Sequence, residues 1–307
     1  MELFKHDSKI GFMAARKWTA ALSILLFICS ITSLFVYRLQ WGLDFTGGTQ
    51  ISIAYEKPAD LETIRAELMK AGFNDSSFRV QSYGSSKDVV ISIAPQKNMD
   101  QNHLVEKVMH VLPGATQQQV EFVGPEVGQE LATKGLKAIL IALFAILIYI
   151  AVRFEYRLGV SAVVALVHDP ILILGIFSFF QITFDLKALA ALLAVIGYSL
   201  NDTIVVFDRV RENFRKVRKA TPTEIINLSI NQTLSRTIMT SVLTFIVVAV
   251  LYVYGGESMR GFSLALIIGI VVGTYSSIYV AGALALALGL DRKDLLPAEK
   301  KPVDDRP

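Results

Sequence analysis

Six stretches of this chain are too long and too apolar for the inside of a water-soluble domain. A helix needs about 20 apolar residues to cross a bilayer. The stretches over about 18–37, 132–152, 158–184, 188–207, 237–254 and 261–284 approach or exceed that length. In hydrocarbon a helix satisfies its own backbone groups, so each is expected to be a transmembrane helix. Of the 307 residues 53% are apolar, and the net charge is only +3. An ordinary soluble domain is excluded, and a polytopic α-helical membrane protein is expected.

The ends of this pattern need care. The first run could serve as a secretion signal. It is twenty residues long, however, and Tyr37-Arg38-Leu39-Gln40-Trp41 offers no small-residue cleavage site, so a retained anchor is expected. The second has a charge-free core of fifteen residues, Ala138 to Val152, flanked by Lys134, Lys137 and Arg153, which can snorkel. The last charge-free run, Gly261 to Leu290, would rise about 45 Å as one helix. It should tilt, or lie in the interface after about residue 284. The single cysteine, Cys29, excludes an internal disulfide and is expected to pack as a small apolar residue.

Basic residues in short loops set orientation. One side collects Lys5, Lys9, Arg16 and Lys17, then Arg153 and Arg157, then Arg209, Arg211, Arg215, Lys216, Arg218, Lys219 and Arg236, and a tail with Arg292, Lys293, Lys300, Lys301 and Arg306. The other side has Lys187 and Arg260 in its short loops. Both termini are therefore expected in the cytoplasm. The expected organisation is a cytoplasmic segment 1–17, a first helix 18–38, an external domain 39–131, a five-helix membrane domain 132–290 with a basic loop 208–236, and a tail 291–307.

The external segment has a strand at Thr49–Tyr55 and a helix at Pro58–Ala71, with Pro58 in its first turn and Gly72 beyond its end. A strand at Ser77–Tyr83 and a turn through Tyr83–Lys87 lead to a strand at Asp88–Ala94. A helix at Met99–Leu112 and a strand at Gln117–Val123 complete it. The order β-α-β-β-α-β is the ferredoxin-like one.

Function is sought in the charges that the apolar runs cannot dissolve. Asp202 is the only charge in the twenty residues from Ala188 to Phe207. A carboxylate in hydrocarbon costs at least a few kcal/mol, so it faces protein or water and usually has a task. It lies about 8–9 Å inside Asp208 along a helix. Tyr198 and Ser199 share its face and are candidate hydrogen-bond partners. The alternative is a helix–helix hydrogen bond that only packs. Arg236 opens the fifth run at the same membrane face, where plain positive-inside anchoring competes with a functional role. His168 and Asp169 lie about 16 Å into the third run, before Pro170. Asp169 is a candidate second relay group. For His168 the structural reading is favoured: Pro170 frees a carbonyl that a buried polar group can use.

The remaining motifs read more quietly. Trp41, Gly42, Asp44, Gly47 and Gly48 form a glycine-rich exit from the first helix, without the Gly-Lys-Ser/Thr ending of a phosphate loop. Asp44 is expected to cap or bond within that turn. Phe122–Gly128, with Gly124, Pro125 and Gly128, reads as a rigid connector. The basic run 208–219 reads as a cytoplasmic loop and not as a nucleic-acid site. Thr221-Pro222-Thr223-Glu224 is a capping box. The helix after it, with Ile225, Ile226, Leu228 and Ile230, is expected on the membrane surface. Gly269 and Gly273 form a small-xxx-small face for close helix packing. No metal cluster or serine-histidine-aspartate order supports an enzyme, and no cofactor is expected.

Three motifs, taken together, resemble one family. Trp41-Gly42-Leu43-Asp44-Phe45-Thr46-Gly47-Gly48-Thr49 follows the first run. Phe122-Val123-Gly124-Pro125-Glu126-Val127-Gly128 precedes the second. The stretch from Gly197 to Asn213, GYSLNDTIVVFDRVREN, closes the fourth. In this order they resemble the SecD/SecF family of bacterial protein-export membrane proteins, of the resistance-nodulation-division class. The resemblance covers about residues 10–290. It implies an inner-membrane protein with six spans and a periplasmic domain after the first, acting with SecD and the SecY-E-G channel. YajC, a translocating preprotein and protons are the other implied partners. The proton-motive force would complete translocation, with the residues matching Asp202 and Arg236 serving proton use. For the Trp41–Thr49 motif, a contact with SecD or with the coupling machinery stays open as the alternative to a bond within its own turn. Half of a proton-coupled small-molecule exporter and a passive scaffold of the channel stay open as alternatives.

Overall fold

The computed structural model describes residues 10–95 and 101–295. Each apolar run becomes one helix long and apolar enough to cross a membrane, six among the described residues. They are α1 (Arg16–Val36, entered by a 3-10 turn at Phe12–Ala15), α5 (Pro125–Arg153), α6 (Tyr156–Phe179), α7 (Leu186–Lys216), α8 (Pro222–Tyr254), and α9 (Arg260–Tyr275) continued by α10 (Ala281–Ala287). A π-helical turn at Ser276–Val280 joins the last two, so the charge-free run is one helix as far as Ala287, with a local widening. Helices α6 and α7 form the centre of the bundle, with over half of their spanning windows buried, while α1, α5 and α8 face outward. Cys29 points outward as well, contrary to the packing role expected of it.

The helices outrun the apolar stretches. The expected basic loop 208–236 is helical except for 217–221. Glu212 pairs with Arg209 (2.8 Å) and with Lys216 (2.5 Å) at helical spacing, which supports the last turns of α7. The capping box then starts α8 directly: Glu224 N–H donates to Thr221 Oγ1, and Thr221 N–H to the Glu224 carboxylate. From Thr223 to Tyr254 there is no glycine or proline, so this helix runs on into the fifth span. Ile225, Ile226 and Ile230 are therefore buried within the bundle, not laid on a membrane surface.

Between α1 and α5 lies a four-stranded antiparallel sheet of β2 (Gly48–Tyr55), β3 (Phe78–Tyr83), β4 (Ser85–Ile93) and β5 (Ala115–Val123), in the order β3-β4-β2-β5. The helices α3 (Leu61–Lys70) and α4 (Gln101–Val111) supply the rest of the β-α-β-β-α-β order. Ile64 and Leu68 of α3, and Leu104 and Val108 of α4, pack on the apolar face of the sheet with Ile51, Ile53, Val89 and Ile91. Asp60, not Pro58, begins α3: its carboxylate accepts from Glu62 N–H. The expected five-residue turn shrinks to Gly84, because Tyr83 pairs with Ser85. The expected start of α4 at Met99 lies outside the described residues.

Two joints tie the sheet to the bundle. β5 passes through Gly124 straight into α5, with Pro125 at its first turn, so the expected rigid connector has no slack. The chain leaving α1 forms β1 (Gln40–Trp41) and a single helical turn α2 (Leu43–Thr46). β1 pairs in parallel with β6 (Thr183–Phe184), just before α7.

Candidate functional site

Small residues let α7 and α9 approach closely. A Cβ on Gly269 would stand 2.2 Å from Val195 Cγ2, and one on Gly273 would stand 2.9 Å from Ser199 Cβ. The expected small-xxx-small face is thus used within the chain. It brings polar residues of α6, α7 and the π-turn into one buried cluster around Asp169, which is itself fully buried. Asp169 Oδ2 accepts from Ser276 Oγ (2.8 Å) and from Ser199 Oγ, and Asp169 Oδ1 lies 2.9 Å from His168 Nδ1. The His168 ring stacks on Phe27 of α1 (centroids 6.2 Å, planes 6° apart), and its Nε2 has no partner. Ser276 opens the π-turn, a local widening that often marks functional positions.

Asp202 sits one turn further along α7. Its residue is 3% exposed, and its Oδ2 is buried without a hydrogen-bond partner. Thr237 Oγ1 on α8 is in the same condition. Arg236, next to Thr237, is the charged side chain within electrostatic reach of Asp202, but no ion pair within 4.0 Å joins them. Arg236 itself is exposed at the rim of the bundle.

The expected partners of Asp202 point elsewhere. Ser199 is taken by Asp169, and Tyr198 OH donates to Ser241 Oγ of α8 (3.2 Å), which in turn contacts Thr274 Oγ1 of α9 (2.8 Å). Sharing a helix face with a carboxylate does not secure a bond to it when a neighbouring helix offers a better acceptor. His168 and Asp169 do not turn to the carbonyl freed by Pro170, because they bond each other. Ser276, Thr237, Ser241 and Thr274 were not singled out from the sequence. Their signal was available: each is a polar residue inside an apolar run.

The glycine-rich motif reaches α7 from the other end. Asp44 Oδ2 accepts from Leu186 N–H (2.9 Å), so it caps α7 and not its own turn. Asp185 Oδ1 accepts from Ala188 N–H (2.7 Å) on the same helix end. Burial pushes the Asp185 carboxyl up from the ordinary carboxylate range, and the nearby Asp44 adds to the rise. Gly42 N–H donates to Phe184 C=O (2.9 Å), and a Cβ on Gly42 would stand 2.9 Å from Asp185 Cβ. Trp41 packs edge-on against Phe45 and Phe184. Gly47 lies against Pro125 and Gly128 of α5, and Gly48, at φ 123°, passes so near Ile93 C=O that only glycine fits. The motif and the connector therefore meet in one joint among β2, α5 and α7.

Among the described residues no group of three His, Cys, Asp or Glu side chains is placed to hold a metal.

Comparison with known proteins follows this geometry closely. Residues 103–291 match the family described as protein export membrane protein SecD/SecF, C-terminal, and residues 32–59 match the SecD/SecF GG motif. The protein translocase subunit SecF of Vibrio alginolyticus is 49% identical over 303 residues, covering 97% of this chain and 96% of the relative. That of Pseudomonas aeruginosa is 46% identical over 302 residues, covering 97% and 98%. The crystal structure of SecDF from Thermus thermophilus, described as a translocon-associated membrane protein, is 35% identical and superposes with a TM-score of 0.85. It covers 93% of this chain, which spans 39% of that longer protein. A SecDF structure in a super-membrane-facing form is 36% identical with a TM-score of 0.68, and this chain again spans 39% of it.

Proposed function

Because this chain belongs to the SecD/SecF family of protein-export membrane proteins, we propose that it is an accessory subunit of Sec protein export, drawing with SecD on the proton-motive force. In this reading it crosses the bacterial inner membrane six times with both termini in the cytoplasm. The sheet domain, residues 39–131, stands in the periplasm. A ferredoxin-like placement outside the membrane agrees with its polar surfaces and with the basic residues gathered at the opposite ends of the helices. SecD supplies the other half of a two-part assembly, and the SecY-E-G channel, YajC and the emerging preprotein are its further partners.

One observation carries the proton reading. Asp202 is enclosed by protein inside an apolar helix, keeps one oxygen without a partner, and has the Arg236 charge within reach but not bonded. A carboxylate needed only for packing would have its acceptors filled. Protonation of Asp202 changes its attraction to Arg236, and the difference biases two arrangements of α7 and α8. Through the joint at Asp44 and Gly47, a shift of α7 reaches β2 and the periplasmic sheet.

The test is preprotein translocation into inverted membrane vesicles that carry the chain with SecD, with and without a proton gradient. Asp202→Asn keeps size and a hydrogen-bonding amide but removes the titrating group. Expected is normal assembly with SecD and loss of the gradient-stimulated part of translocation, leaving the ATP-driven rate. Arg236→Ala should behave alike. Full gradient stimulation in Asp202→Asn would leave a passive scaffold as the better reading.

A further inference from the structure

We propose that His168 and Asp169 form a second proton-binding site, distinct from Asp202, in the centre of the bundle. The proposal rests on the proton reading above but not on Asp202. The two residues are 4% and 0% exposed, and Nδ1 and Oδ1 are 2.9 Å apart. With Ser199 and Ser276 both donating to Oδ2, the Asp169 carboxylate has its acceptors filled on every side that the bundle offers. That is the environment of an ionised carboxylate held by donors, and it requires Nδ1 of His168 to carry a proton as the third donor. The opposite ring nitrogen, Nε2, then has a lone pair with no donor, although it is buried. An orphaned buried base is costly unless it is used.

Addition of one proton to Nε2 takes the pair from a net charge of −1 to 0: the Nε2 lone pair takes the proton, one O–H bond of H3O+ breaks, and a water is left. The charge change is felt by Ser199 on α7 and by Ser276 at the π-turn of the sixth span, the two hydroxyls that hold Oδ2. Ser199 lies one turn from Asp202 on the same helix, so both sites act on α7. The helices packed on α6 bring few competing groups. Over the apolar stretches 18–36, 138–152, 188–207 and 261–287 of these helices the titratable side chains are Cys29, Tyr149, Tyr198, Asp202, Tyr275 and, in the π-turn, Tyr279.

The chain has four histidines, so ring-15N histidine labelling gives a short spectrum. The sample is the chain with its SecD subunit in lipid nanodiscs, and His168→Gln, which keeps a polar contact to Asp169, assigns the signal by its loss. Lowering the pH from about 8 to about 5 should convert the His168 ring from neutral to cationic. Asp169→Asn should move that conversion to lower pH, because it removes the facing charge that favours the cationic ring. Gradient-stimulated translocation should fall in His168→Gln. A His168 ring that keeps one ionisation state across the whole range overturns the proposal, as does a conversion unmoved by Asp169→Asn. The two readings fail separately: a silent His168 leaves the loss in Asp202→Asn untouched, and gradient-dependent export by Asp202→Asn leaves the His168 titration standing.

Discussion

At the N-terminal end of α7 two carboxylates share one helix terminus, and the protonation of one of them has a sign that can be measured. Asp185 caps Ala188 N–H from a partly buried position, with its carboxyl held above the ordinary carboxylate range by burial first and by the Asp44 charge in addition. Over the window between the ordinary and the folded value, the folded state keeps a proton that the unfolded state has lost. There stability falls as the pH rises, and it is regained on acidification through the folded value. Asp185→Asn retains an oxygen for Ala188 N–H and removes the titration, so this part of the slope should vanish in thermal unfolding of the detergent-solubilised protein across pH. Asp185→Ala should lose the same slope and lie about 1 kcal/mol below Asp185→Asn at every pH, the usual loss for a missing cap. A slope unchanged in Asp185→Asn would assign it to another group. This residue was not singled out from the sequence, although an aspartate just before an apolar run is an N-cap signal. Asp202 did stand out, as a charge where none belongs. The partners of these residues were not readable. Ser199 and Tyr198 share the Asp202 face, yet each bonds to another helix, and nothing local in the sequence encodes which helix lies nearest.

Elements communicate through the joint around α2. Asp44 belongs to a turn that follows α1, yet its acceptor serves Leu186, 142 positions away. The parallel bridge of Gln40 with Thr183 and of Trp41 with Phe184 fixes the same approach. β2 begins two residues after α2, so a movement of α7 along its axis, as proposed above, would pull on the first strand of the sheet. Asp44→Ala should loosen this hold. Peptides covering 184–190 should exchange amide hydrogens faster in hydrogen–deuterium exchange mass spectrometry, and gradient-driven translocation should drop. Asp44→Asn keeps an acceptor and should restore both. Exchange in Asp44→Ala equal to that of the parent would remove Asp44 from the coupling path. A glycine-rich exit was legible at this position, because Gly47 and Gly48 announce a tight backbone. Its tertiary partner was not, since a cap that reaches across 142 positions leaves no local pattern. The same limit explains α8. Polarity suggested a basic loop over 208–236, with a separate surface helix after the capping box, but helix propensity, paired charges and an unbroken run without glycine made α8 continuous into the fifth span. The π-turn at Ser276 has no periodic signature at all, whereas the spacing of Gly269 and Gly273 gave their close contact away.

For the whole molecule, an even number of spanning helices puts the two described ends on one side, and the sheet between α1 and α5 on the other. Charge decides which side is which. Arg153 and Arg157, Arg209 to Lys219, and Arg292 and Lys293 gather at one set of helix ends, against Lys187 and Arg260 at the other. Short loops follow such asymmetry during insertion. Much of this architecture was legible from apolar runs and their flanking charges, because insertion into a bilayer is governed by the same two quantities. The outward faces of α1, α5 and α8 carry large apolar side chains such as Val152 and Val247, as a lipid or a partner subunit demands. The single cysteine makes the orientation testable. With Cys29→Ser as background, Gln117→Cys on β5 and Lys219→Cys between α7 and α8 place one thiol at each end, both at exposed positions. In spheroplasts a membrane-impermeant maleimide should label the Gln117→Cys protein directly, and the Lys219→Cys protein only after the membrane is opened. The reverse pattern would invert the molecule. Protons driven inward by the gradient would then enter from the end bearing Arg236, and the sheet would face the cytoplasm, where no emerging preprotein could meet it.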